Sequence, residues 1–289
     1  MLVAAESDTA PDLAQVHRNQ QTRSRALEVV KALFDQVRVV QQHRAATNGA
    51  LGGNPFFESK TRVLAREINA RFKELDRQLL PLSELYDGMR WQDIGNEWQT
   101  VHLQWRQDQV IENFELHSHL VRQMLDFIAD IGERAEGLIM RDSHHLALAQ
   151  YVLRGLPTFI EIMGQMRALG THAAVASECT EACGMRLRFL QQQIQEHQVT
   201  VREQMGRLST EAFSKTTSLI EVHLCEPKLD KLLKCIEQDI LKARKVELDP
   251  DELFTRCTEI MDAHFNVMAE GLRMLRMSLD RRIEAWVHR

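Results

Sequence analysis

The sequence predicts an all-α protein built from long helices, either in one elongated bundle or in two packed four-helix bundles. Glycine and proline supply only 13 and 6 of the 289 residues, well below the roughly 12 % that average usage gives, whereas sheets need frequent turns. Gln, Leu, Arg, Glu and Ala dominate while tyrosine occurs only twice, which is typical of helix-forming segments. No useful stretch alternates polar and apolar residues. We therefore expect seven to nine helices and essentially no strand.

Proline marks most of the expected helix starts, because it suits the first turn of a helix but not its interior. The spacings of Thr158 with Glu161 and of Asp249 with Glu252 match capping boxes. No linker divides the chain, so we expect one helical domain over 12–289 after a flexible N-terminus, 1–11. The starts are Pro55, Pro81, Pro157, Pro227 and Pro250, and the periodic segments are about 12–51, 57–80, 84–139 (with a break near Gly88 or Gly95), 143–155, 158–207, 210–225, 228–246 and 250–286.

Charge and hydropathy exclude several classes of protein. The net charge of −5 gives no global basic field that would attract nucleic acid or an acidic membrane surface. The most apolar stretch, 155–176, carries Glu161, Gln165 and Arg167, so it predicts a core helix rather than a membrane span. The five cysteines form no CxxC pair, and no signal-peptide pattern is present. We therefore expect a cytoplasmic protein that binds neither nucleic acid nor membranes.

A polar interruption in the first helix is the most informative feature. One apolar seam follows a 3-4 spacing, turns polar for two turns and then becomes apolar again. Arg44 is thus a cation where a hydrophobic residue is expected, and no Asp or Glu lies within four residues of it. The seam consists of Leu27, Val30, Phe34, Val37, Gln41, Arg44, Asn48 and Leu51.

The same feature recurs at Arg167, which lies in a wide apolar arc with no acid within four residues. The local sequences match, because Gln-x-Arg-Ala occurs at 42–45 and at 165–168, followed by Thr47 and Thr171 respectively. A guanidinium stays charged when buried, and its planar fork of donors fits a planar oxyanion. The two arginines therefore predict a site for a small anion between two helices, with the two threonines as further donors.

Each arginine also has a second explanation, in which it pairs with an acid distant in sequence or extends to the surface. Under that interpretation the protein is a helical-bundle adaptor or scaffold without a small-molecule ligand. The two hypotheses differ in one respect: only the sensor needs buried arginines without protein partners.

Two segments resemble the signatures of the nitrate- and nitrite-sensing (NIT) domain family. Residues 39–47 (VVQQHRAAT) are similar to the first signature and residues 161–170 (EIMGQMRALG) to the second. Residues 113–121, with 155–157 after them, are similar to related helical sensor regions. The resemblance covers about 30–180, and further helices follow over 181–289. It implies a helical bundle in which Arg44 and Arg167 bind nitrate or nitrite, without deciding between the two anions.

The same resemblance implies a sensor rather than an enzyme. Binding of the anion would favour one packing of the helices and so signal to a downstream protein. No kinase, methyl-accepting or RNA-binding antitermination signature occurs over 180–289. We expect no cofactor, and we expect a homodimer, since helical sensors signal across twofold interfaces.

Other motifs point to no second site. The 12 histidines include no paired Glu-x-x-His and no His-Glu-x-x-His motif, so we expect no metal. Cys179 and Cys183 are predicted to be small buried residues. Trp91, Trp98 and Trp105 recur every seven residues, which predicts a core or dimer contact. Phosphate loops and nucleophile elbows are missing from the sequence, which indicates a protein that is not an enzyme.

Overall fold

A computed structural model describes residues 13–136, 143–207 and 217–287, and within these ranges every regular element is helical. The prediction of an all-α fold is confirmed, whereas the expected flexible N-terminus, 1–11, lies outside the described residues. The helices are α1 (Leu13–Leu51), α2 (Pro55–Leu79), α3 (Gly88–Gln104), α4 (Val110–Glu136), α5 (Ser143–Gln150), α6 (Leu156–Ala176), α7 (Glu181–Arg207), α8 (Thr217–Cys235) and α9 (Pro250–Val287). Short 3-10 turns follow α2 (Leu80–Leu82) and α3 (Trp105–Gln107), and π-helical turns join α5 to α6 (Tyr151–Gly155) and extend α8 (Ile236–Leu241).

Helix α1 forms the centre of the bundle. It packs against α2, α4, α6 and α9, and between residues 39 and 49 only Gln42 is not fully buried. Helix α6 is the second central helix, in contact with α1, α7 and α9. The buried side chains form one continuous hydrophobic cluster through both halves of the chain. Both arginine-bearing seams therefore lie in the middle of the protein.

The two central helices run parallel to one another. Gln41 on α1 contacts Glu161 on α6, and two to three turns further along His172 Nδ1 lies 3.2 Å from the carbonyl oxygen of Asn48. Residue numbers therefore rise together along the two helices. This parallel register decides which polar groups of α1 lie at the same level as those of α6.

Several helices begin at capping residues that the sequence marks. Asn54 Oδ1 accepts a hydrogen bond of 3.0 Å from the backbone N–H of Phe56 at the start of α2. Asp249 Oδ1 accepts hydrogen bonds from the N–H groups of Asp251 and Glu252 at the start of α9, which confirms that predicted cap. Side-chain oxygens at these positions satisfy donors that the first turn leaves free.

One predicted helix start, Pro227, is wrong, and another, Pro157, is found although the chain before it is helical too. Pro227 lies inside α8, where the buried neighbours Cys225 and Leu229 hold the helix through tertiary packing. Pro157 lies in the first turn of α6, but the helical path continues into it from α5 through the π-helical turn. Thr158 donates to the carbonyl oxygen of Arg154 at 2.7 Å, so it does not cap a helix.

The connections between helices also differ from the predicted breaks. The segment predicted as 158–207 is interrupted at Ser177, whose φ of 55° is left-handed. The Ser177 carbonyl accepts a hydrogen bond from Val246 at 3.1 Å, which ties the reversed chain to the segment before α9. The break predicted near Gly88 is found, because 83–87 are not helical and α3 begins at Gly88. Gly95 lies inside α3, and a further break at Asp108 separates α3 from α4.

The series of three tryptophans belongs to the core of the chain. Trp91, Trp98 and Trp105 are all buried. The rings of Trp91 and Phe127 stack with their centroids 5.3 Å apart, and Trp98 Nε1 donates to Asn69 Oδ1 at 2.8 Å. These residues therefore pack within the chain, as the core alternative of the prediction expects. None of the helices in the described ranges is both long and apolar enough to cross a membrane.

Candidate functional site

The two predicted arginines lie on the two parallel central helices. Arg44 on α1 is 0 % exposed and Arg167 on α6 is 1 % exposed. Burial lowers the pKa of Arg167 to about 10, and the positive charge of Arg44 also lowers it. The two buried cations therefore act on each other electrostatically, but their partners differ.

Arg44 forms a bidentate ion pair with Glu161. Its Nη1 lies 2.6 Å from Oε1 and its Nη2 lies 3.1 Å from Oε2. The side-chain amides of Gln41 and Gln165 donate to the same carboxylate at 2.8 and 2.7 Å. The second explanation, pairing with an acid distant in sequence, therefore applies to Arg44. The carboxylate comes from a helix distant in sequence, and Glu161 serves this pair instead of the predicted capping box.

Gly164 allows this pair to form. A Cβ atom added at Gly164 would lie 2.9 Å from Nη2 of Arg44, which is closer than van der Waals contact permits. Glycine therefore lets the guanidinium approach the backbone of α6, one turn after Glu161.

Helix α4 closes the other side of Arg44. Nη1 of Arg44 also donates to Ser118 Oγ at 2.9 Å, and the Thr47 hydroxyl lies 2.8 Å from Asn113 Oδ1. Thr47, predicted as an anion donor, therefore faces α4 and has protein partners there. Nε of Arg44 has no hydrogen-bond partner among the described residues.

Arg167 has far fewer partners. Its Nη1 donates to Thr258 Oγ1 at 2.8 Å, and its Cζ lies 4.8 Å from the centroid of the Phe254 ring, which permits a cation–π interaction. Nε and Nη2 have no hydrogen-bond partner in the described chain, and no carboxylate there lies within ion-pair distance. Buried donors without partners are rare, so this side chain requires an explanation.

Further polar groups without partners lie at the same level of the two helices. Thr171, one turn after Arg167, is fully buried, and its hydroxyl has no partner among the described residues. The side-chain amide of Asn48 is likewise buried without one, and its backbone lies beside His172. Asn48 is a candidate site residue that the sequence reasoning missed, although it belongs to the polar part of the first seam.

Lys60 on α2 is a third cation at the edge of this cluster. Its Nζ lies 3.6 Å from the centroid of the Phe254 ring, the ring that Arg167 also contacts. Burial lowers the pKa of Lys60, the charge of Arg167 lowers it too, and Asp251 raises it. No motif in the sequence marks Lys60, because its role depends on packing between α2 and α9.

Buried histidines lie on the α4 side of Arg44. The Nδ1 atom of His117 lies 2.8 Å from the Asn113 carbonyl and must donate to it, so Nε2 of His117 accepts the hydrogen bond of 2.8 Å from His43 Nδ1. Burial lowers the pKa of His117 to about 3 and that of His43 well below its usual value. Both rings are therefore neutral. The described His, Cys, Asp and Glu residues include no group of three that could hold a metal ion.

The fold and this cluster define an all-α bundle with a buried cationic site between two parallel central helices. Among solved structures, the chain is similar to that of the NasR transcription antiterminator. The TM-score is 0.65 and the sequence identity is 14 %, and the similarity covers 94 % of this chain and 74 % of that chain. At this identity the similarity shows the fold. No protein-family model and no curated protein matches the sequence.

Proposed function

We propose that the chain is a non-enzymatic, cytoplasmic sensor that binds a small oxyanion, nitrate or nitrite, between α1 and α6. The observation that carries the proposal is Arg167, a fully buried cation with two donor nitrogens that have no partner in the described chain. A buried charge without a counter-ion is strongly unfavourable. An anion bound beside Arg167 removes that cost, and the favourable change drives binding.

The surrounding groups suit a small planar anion. Nε and Nη2 form one edge of the Arg167 guanidinium and offer two parallel donors, the arrangement that binds planar oxyanions bidentately. The amide of Asn48 and the hydroxyl of Thr171 can donate to the remaining oxygen. Arg44 acts electrostatically on Arg167, and Lys60 is a further cation at the half-buried edge of the cluster.

The similarity of residues 39–47 and 161–170 to the NIT signatures supports nitrate or nitrite as the ligand. The fold supports a regulatory role, because the similar solved structure is that of a transcription antiterminator. An anion that bridges α1 and α6 favours one packing of these helices over another. Met185 and Phe189, exposed one turn apart on α7, offer a surface where a downstream protein or a second copy of the chain can read that change.

The alternative function, a scaffold without a ligand, is favoured by one observation. Arg44 has the protein carboxylate that this hypothesis predicts for both arginines. Arg167 favours the sensor, because a scaffold has no use for a buried cation whose Nε and Nη2 have no partner in the described chain.

A thermal-shift titration with nitrate, nitrite, chloride, sulfate, formate and small carboxylates tests the proposal. A ligand that binds only the folded state contributes about 2.7 kcal/mol at a hundred times its Kd, so nitrate or nitrite should raise the Tm in proportion to log concentration. Arg167→Met should abolish the shift and Arg167→Lys should restore little of it, because ammonium cannot make the bidentate contact. Arg71→Met, on the surface of α2 beside Glu67, is the matched control and should keep the shift. If no anion raises the Tm of the unmodified protein, the scaffold function stands.

A further inference from the structure

We infer that Glu161 sets the charge selectivity of the anion site, so that the site accepts monovalent anions and rejects divalent ones. The inference rests on the proposed function and concerns a residue that the anion itself is not expected to touch. It follows from the buried charges around the site and from the position of one carboxylate among them.

Among the described residues, the buried charged groups are two guanidinium groups and one carboxylate. Arg44 and Arg167 each contribute one positive charge, and Glu161 contributes one negative charge. Every hydrogen bond to the Glu161 carboxylate is donated to it, two by Arg44 and two by glutamine amides. It is therefore ionised, and the three groups leave a single positive charge in the core.

The other buried titratable groups beside these residues are neutral. Burial lowers the pKa values of His43 and His117, which therefore carry no proton charge at neutral pH. Burial raises the pKa of Cys257, beside Arg167, to about 12, so its thiol is not ionised. These neutral groups therefore leave the net charge of Arg44, Arg167 and Glu161 unchanged.

The nearer charges at the periphery are offset by their own partners. Asp262, which acts electrostatically on Arg167, forms an ion pair of 2.8 Å with Arg38. Lys60 is only half buried, and Asp251 acts on it with the opposite charge. One monovalent anion therefore neutralises the core, whereas a divalent anion leaves an excess negative charge there.

Glu161 acts as an internal anion. It occupies both terminal nitrogens of Arg44, the position that a second oxyanion or a larger one would need. Its charge also repels whatever binds at Arg167, and that repulsion is twice as large for a dianion as for a monoanion. If removing the charge improves binding of a monoanion by some factor, binding of a dianion should improve by the square of that factor.

Isothermal titration of Glu161→Gln with sodium nitrate and sodium sulfate tests this inference. The amide keeps the shape of the side chain and removes the charge. We expect nitrate affinity to rise on the order of tenfold and sulfate affinity on the order of a hundredfold, as an interaction of about 1.4 kcal/mol per ligand charge gives. Glu161→Asp keeps the charge and should keep the preference for nitrate. Glu133→Gln, at an exposed ion pair with Arg154, makes the same change in net charge and should alter neither affinity.

The outcomes separate this inference from the proposed function. If the unmodified protein binds no anion, the proposed function is wrong. If it binds nitrate and Glu161→Gln leaves the nitrate-to-sulfate ratio unchanged, the inference is overturned while the function stands. If Glu161→Gln is unfolded in anion-free buffer, its refolding at equal concentrations of the two salts is compared with that of the double variant Glu161→Gln/Arg167→Met, which shares the general stabilising effect of sulfate but lacks the site. A larger preference for sulfate in the single variant supports the inference, and an equal preference overturns it.

Discussion

Arg44 and Arg167 are buried to the same extent and have opposite surroundings. Arg44 has a bidentate carboxylate, a hydroxyl and a close glycine, whereas Arg167 has one hydroxyl and an aromatic ring. The comparison shows that burial of a cation does not by itself identify a ligand site. A lack of protein partners is the better indication of such a site, because a buried charge that the protein itself neutralises does not need an anion.

Substitution of each arginine by methionine in anion-free buffer should give the largest difference. Arg44→Met leaves the Glu161 carboxylate buried without its counter-ion, so we expect a loss of about 3–5 kcal/mol in the free energy of unfolding. Arg167→Met removes a cation that has no carboxylate partner and should change that free energy by less than about 1 kcal/mol, or increase it. Urea denaturation measures both, with Arg71→Met as the surface control, expected within about 0.5 kcal/mol of the unmodified protein. Equal losses for Arg44→Met and Arg167→Met would mean that the arginines are equivalent after all.

Low pH should destabilise the protein through the buried histidines near Arg44. Burial lowers the pKa of His117 to about 3, and the nearby charge of Arg44 lowers it as well. The unfolded chain therefore binds a proton that the native state excludes, so stability is complete above about pH 6.5 and falls as the pH drops towards 3, by about 1.4 kcal/mol per pH unit for each such histidine.

Urea denaturation as a function of pH measures this slope. His117→Gln should reduce it, whereas His119→Gln, at a more exposed histidine on the same helix, should leave it unchanged. A slope that is the same in both variants would show that the acid sensitivity arises elsewhere in the protein.

The same comparison can be made between the threonines near each arginine, Thr47 and Thr171, where we expect the smallest effects. Thr47→Val removes a hydroxyl that is hydrogen-bonded to Asn113 on α4, so we expect a loss of about 1–2 kcal/mol. Thr171→Val removes a buried hydroxyl without a partner in the described chain, and it should be neutral or slightly stabilising without anion while weakening nitrate binding. Thermal unfolding with and without nitrate distinguishes them. Anion binding that survives Thr171→Val unchanged would remove this residue from the site.

The sequence was sufficient for the fold class and for the burial of the two arginines, because both follow from local patterns. Composition predicts helices, and a cation on an apolar 3-4 seam is visible without knowledge of the packing. Glu161 was missed as a partner because it lies 117 positions from Arg44 and its spacing from Thr158 suggests a cap. Lys60 was missed because its contact with Phe254 depends on the packing of α2 against α9, which no local pattern shows. Ser177 ends α6 in a left-handed conformation that glycine or asparagine would have signalled and serine does not.

Gly164 has a consequence for how this protein can evolve. Any side chain at this position crowds Nη2 of Arg44 and must shift the guanidinium against the Glu161 carboxylate. We therefore expect Arg44, Glu161 and Gly164 to vary together in evolution, so that a change at one position is tolerated only with changes at the other two. Among descendants of the same ancestor, chains that keep the arginine and the glutamate should also keep the glycine. Chains that have lost the glycine should differ at all three positions.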